Sequence, residues 1–65
     1  MAGLADRIAL MNVQRRHYLA LMRRLTELQA GTDPADTTAR LLIEGAVLHL
    51  QADLDWLERC LEELV

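Results

Sequence analysis

Two histidines, one cysteine, one tryptophan and ten carboxylates are the side chains of this 65-residue chain that matter most for chemistry. His49 and Asp53 stand four residues apart, which on a helix puts both on one face. They could supply two ligands to a metal ion, but zinc sites take three or four protein ligands. A structural His–Asp contact is therefore the expected role. His17 sits beside Tyr18 with no carboxylate at helical spacing, and reads as a partly buried interface residue. Cys60 has no nearby His or Lys to lower its pKa, so an inert packed thiol is expected. The chain contains no serine, no glycine-rich phosphate loop and no paired catalytic carboxylates. No reaction class can be assembled from such a set. The expectation is a protein that is not an enzyme and uses no metal and no cofactor.

Trp56 is the one residue with ligand potential. A tryptophan at the edge of an apolar helix face ordinarily fills a gap between helices, its indole N–H turned to water or a carbonyl. The functional alternative is an aromatic platform for a small planar apolar effector held between helices. His49, seven residues earlier, and Met11 and Met22 on the preceding helix complete the candidate effector contacts, the methionines as adaptable walls.

The elements that must position these residues are helices. Ile43, Val47, Leu50, Leu54, Leu57, Leu61 and Leu64 follow 4-3-4-3-4-3 spacing, an unbroken heptad seam made for packing against other helices. Leu4, Ile8, Met11, Tyr18, Met22 and Leu25 keep the same spacing in the first half, with Arg15 where an apolar residue is expected. Leu10, Leu21 and Leu28 lie beside that stripe and widen it, a sign of more than one neighbouring helix. Asn12, Arg16, Arg23 and Glu27 form the polar remainder, with Arg23 and Glu27 an i,i+4 pair. The spacing predicts helix 1 over about 4–30, a turn at 31–33 and helix 2 over about 34–63. Gly31 suits a left-handed position after a helix end. Asp33 then serves as N-cap, with Pro34 at the first helical position. So short a connection folds the helices back as an antiparallel hairpin. Gly45 and Ala52, seven apart on one face of helix 2, would permit close backbone approach.

Size and charge narrow the function classes. A chain this short buries only about 60% of its unfolded surface when it folds alone, and a single cysteine provides no internal staple. Oligomerisation, or a covalently attached neighbour domain, is the remaining remedy, and a homodimer is expected. The net charge of −3 argues against a general nucleic-acid surface. Residues 4–30 nevertheless hold five arginines against Asp6 and Glu27, a balance of +3, while residues 35–65 hold two arginines against seven acids, a balance of −5. Basic and acidic helices lying side by side would explain this. Direct DNA binding through Arg15, Arg16, Arg23 and Arg24 would instead show steeply salt-dependent affinity. No apolar run approaches the roughly 18 residues of a membrane span, no signal-peptide pattern opens the chain, and the lone thiol fits a cytoplasmic location.

The stretch from Leu42 to Arg59, with its Gly45, its Ala52-Asp53-Leu54 and its Trp56-Leu57, resembles the C-terminal helical domain of PadR-like transcriptional regulators, the virulence-activator-alpha C-terminal type. Leu4-Ala5-Asp6-Arg7 and the run from Gln14 to Leu19 are similar to the long helix that precedes it there. The resemblance implies a dimerisation and effector-sensing domain whose partner domain, a winged helix, contacts DNA. That winged helix has no counterpart in these 65 residues, so the resemblance carries DNA contact to no residue here. A domain of a longer regulator, with Met1-Ala2-Gly3 as an addition, and a free-standing relative are both compatible with it.

Together these readings give an all-α expectation: two long helices in an antiparallel hairpin, dimerising into a four-helix bundle. The helix seam would consist of Ile43, Val47, Leu50, Leu54, Leu57 and Leu61, with Leu4, Ile8, Met11, Tyr18, Met22 and Leu25 opposite. The alternative function is a free-standing helical adaptor that associates with another protein and needs no ligand.

Overall fold

The computed structural model describes residues 3–65 and contains two helices, α1 (Leu4–Ala30) and α2 (Thr37–Leu64), packed as a hairpin. Of the tripeptide Met1-Ala2-Gly3, the first two residues lie outside the described range. The start of α1 is held by Asp6, whose Oδ2 accepts from the Gly3 backbone N–H at 3.3 Å. Its carboxylate also sits where the positive end of the helix dipole favours an anion.

Both ends of the connection differ from the sequence-based expectation. Gly31 has φ −88° and ψ −4°, in the right-handed region, and no described residue has a positive φ. Thr32 takes over the capping: its hydroxyl donates to the Leu28 carbonyl at 2.7 Å while its N–H reaches the Gln29 carbonyl at 3.3 Å. These bonds satisfy carbonyls that a left-handed glycine would otherwise help to cover. Asp33 is not the N-cap either. Its side chain accepts from the Ala35 N–H at 2.9 Å and its carbonyl from the Asp36 N–H at 2.9 Å, closing a separate turn with Pro34 at the second position. Proline's fixed φ is suited to that position. The cap falls to Asp36, whose Oδ1 accepts from the Ala39 N–H at 3.1 Å. Helix α2 therefore begins three residues later than the pattern suggested. Asp36→Ala should lower stability by about 1 kcal/mol, read as a lower chemical-denaturation midpoint; an unchanged midpoint would mean that the turn, not the cap, fixes the start of α2.

The core is made by one helix. Ile43, Leu50, Leu54 and Leu57 are buried, all from α2, and α1 contributes no buried residue. Val47, Leu61 and Leu64 are half-buried on the same line, and Ile8, Met11, Tyr18, Met22 and Leu25 cover them from α1 while remaining half-buried themselves. Leu4 is exposed at 53%. It lies two turns before Met11, which already borders the C-terminal end of α2 beside Cys60 and Leu64, so it has nothing across from it. Arg15 is accommodated on the seam by reaching sideways to Glu58 at 3.8 Å, the one ion pair among the described residues. Both side chains are about half exposed, so the pair contributes little. Arg23 and Glu27 form no ion pair within that set.

This hairpin leaves much apolar surface in water. It measures 51 × 16 × 16 Å, with a radius of gyration of 15.2 Å, against about 11 Å for a compact domain of this length. Its accessible surface is 5213 Å², roughly 1,000 Å² above the scaling for a monomer of this size.

Candidate effector groove and association face

Trp56 is 61% exposed. It does not plug the gap between the helices, and its position on α2 makes it one wall of a groove of about 470 Å³. Met11 of α1 forms the opposite side, and Arg59, Cys60, Glu63 and Leu64 complete the lining. The spacing 56, 59, 60, 63 is one face of a single helix. That periodicity is the signal by which Arg59, Cys60 and Glu63 could have been added to the candidate contacts. The groove offers an aromatic face, a thioether, a thiol and one charge of each sign, a combination suited to holding a planar apolar molecule with a polar end.

Of the four candidate effector contacts, the structure brings Met11 and Trp56 together. His49 belongs elsewhere, to a groove of about 360 Å³ lined by Leu21, Arg24, Leu25, Ala46, Leu50 and Asp53. Met22 is half-buried between the helices and lines neither groove. His49 and Asp53 border the same groove, yet no hydrogen bond joins them among the described residues; the i,i+4 bond on this helix runs from Gln51 Nε2 to Asp55 Oδ1 at 3.0 Å. His17 is exposed rather than half-buried, its ring 6.1 Å from that of Tyr18. No group of three or more metal-ligating side chains occurs among the described residues. A Cβ built on Gly45 meets nothing within 4 Å, so no close backbone approach explains the glycine within this hairpin.

A second pattern emerges once the two grooves are seen to open on one side of the hairpin. On α2, Leu42, Ala46, His49, Asp53, Trp56 and Cys60 each immediately precede a seam residue. On α1, Leu10, Gln14, His17, Leu21 and Arg24 do the same, with Arg15 counted at its seam position, and Leu28 continues the spacing. One residue is about 100° of helix rotation, so each helix carries a second heptad stripe a quarter-turn from the first. The grooves place both stripes on the same broad face, because Leu21 and Arg24 share one with Ala46, His49 and Asp53. Leu10, Leu28, Leu42 and Trp56 on this face are all more than half exposed. The face has apolar ends and a polar middle, with a cation on α1 and a carboxylate on α2. No described helix is long and apolar enough to cross a membrane.

The family model described as virulence activator alpha C-term matches residues 1–65, the whole of the sequence. The chain therefore belongs to that family, and its description points to a regulatory role. No curated protein and no solved structure gives a significant match.

Proposed function

We propose that this virulence activator C-terminal domain is the dimerisation and effector-responsive module of a PadR-like bacterial transcriptional regulator working in the cytoplasm. The observation that carries the reading is the mismatch between seam and surface: four buried side chains hold the hairpin, while most of a second heptad stripe on each helix stays exposed, Leu21 and Cys60 alone being half-buried. Such a helix pair is completed by another pair, as in a four-helix bundle. The PadR-like part rests on the Gly45, Ala52-Asp53-Leu54 and Trp56-Leu57 pattern together with the family match. In this mechanism a planar apolar effector enters the groove between Met11 and Trp56. By wedging the C-terminal half of α2 against the start of α1, it alters how the helices cross. Attached DNA-binding domains, carried by the rest of the regulator, then change their separation.

The effector limb is tested by titrating the chain with planar aromatic compounds. Trp56 is the sole tryptophan, so its fluorescence reports directly on the groove, and calorimetry on Trp56→Ala is the control. Saturable quenching with micromolar affinity, weakened tenfold or more in the variant, is expected. A flat response across a broad compound set would favour the second reading, a helical adaptor that docks another protein without a ligand. That reading draws on Leu41 and Leu48, which stay exposed on the far side of α2.

A further inference from the structure

We infer that two copies of this chain meet through the face carrying the second stripes, with α1 of each copy lying over α2 of the other and Arg24 of each reaching Asp53 of the other. The inference rests on the association reading above and adds which face is used and in which orientation. Three observations carry it.

The first is area. A face of 51 by 16 Å has an outline of about 800 Å², the size that one partner contributes to a standard stable interface. The second is register. Both stripes have the same 4-3-4-3-4 spacing, so the ridges of either helix can seat in the grooves of the other over the full length of the hairpin.

The third is charge, and it selects the orientation. A twofold axis parallel to the helices stacks α1 on α2 of the other copy at equal height, with both connecting loops at one end. A twofold axis across the helices would instead stack α2 on α2. Residues 35–65 carry a balance of −5 and residues 4–30 a balance of +3, so the second arrangement brings like charges together and the first brings opposite ones. Arg24 and Asp53 border one groove and therefore lie at similar height. Both are exposed, and neither belongs to an ion pair among the described residues. In the first arrangement each lies opposite the other's counterpart across the axis.

Sedimentation equilibrium on the full chain tests this with Arg24→Asp, Asp53→Arg and the double variant, helicity being followed on the same samples. Each single variant should dimerise about tenfold or more weakly, because like charges now face each other twice across the twofold. The double variant should return to within about threefold of the wild type. An equimolar mixture of the two single variants should form a heterodimer as tight as the wild-type dimer. Within each single variant the two positions still carry like charges, so recovery in the mixture can only come from pairing between copies. A wild-type chain that is monomeric at every concentration overturns the association reading itself. A wild-type dimer whose single variants associate normally, or whose mixture fails to recover, leaves that reading standing and overturns the face and orientation inferred here.

Discussion

Leu57→Ala should abolish most of the helical signal at ambient temperature. Leu57 is 3% exposed, the lowest value in a core of four residues. Truncating a buried leucine costs about 2–5 kcal/mol, through lost transfer energy and the cavity that remains. A core in a chain of this size supplies no more than about 3–5 kcal/mol in total, so the substitution removes about as much as the fold has. Leu48→Ala is the matched control. Leu48 is 63% exposed on the far side of α2, and its truncation should change stability by no more than about 0.5 kcal/mol. Thermal and urea melts followed by circular dichroism separate the two. If Leu57→Ala melted like the wild type, the contact between α1 and α2 would not be what holds these helices.

Dilution should unfold the protein as it dissociates. The hairpin exposes roughly 1,000 Å² more than a compact monomer would. Helices of 27 and 28 residues held by one narrow seam take much of their stability from tertiary packing. For an obligate dimer, stability cannot be separated from protomer concentration. Helicity and weight-average mass, measured across a thousandfold dilution series, should therefore fall together, and the melting temperature should rise with concentration. A fully helical monomer at the lowest concentration would show that two helices suffice, and the case for obligate association would collapse. A dimer that separates into helical monomers would leave association intact but make it a reversible option of a stable hairpin.

The candidate effector groove and the proposed association face share residues. Trp56 and Cys60 line the groove and also belong to the second stripe of α2. A molecule lodged between Met11 and Trp56 would lie at one end of the interface between copies, where wedging acts on the crossing of α1 and α2 with the longest lever arm.

Much of the fold was legible in the residues because helical periodicity is a local property. The 4-3 spacing from Ile43 to Leu64 fixed both the helix and the side on which its core would lie, and Ile43, Leu50, Leu54 and Leu57 are buried as that spacing requires. The ends of the helices were less legible. Asp33, Pro34 and Asp36 offer two overlapping start signals, and only the hydrogen bonds show that the first closes a turn while the second caps α2. Gly31 has the freedom to turn left-handed but does not, because the Thr32 hydroxyl satisfies the carbonyl at the end of α1. The site divided along the same line. Trp56 stood out by type, yet neither its exposure nor its pairing with Met11 follows from spacing. Those depend on how far the two helices overlap across the hairpin, which also left Leu4 without an opposite number and put His49 in a different groove.

By itself, then, the sequence determined two amphipathic helices, the point at which the chain reverses, the opposite charge of its two halves and a seam too small for the apolar surface present. All of these are set by neighbours within a turn or two of helix. Tertiary structure alone decided that the seam is used within the hairpin and that the second stripes stay largely exposed. It also decided that the two second stripes open on the same side and that a groove forms at Trp56. Those outcomes depend on the relative height and rotation of two packed helices, a relation between residues far apart in the chain that no local pattern encodes.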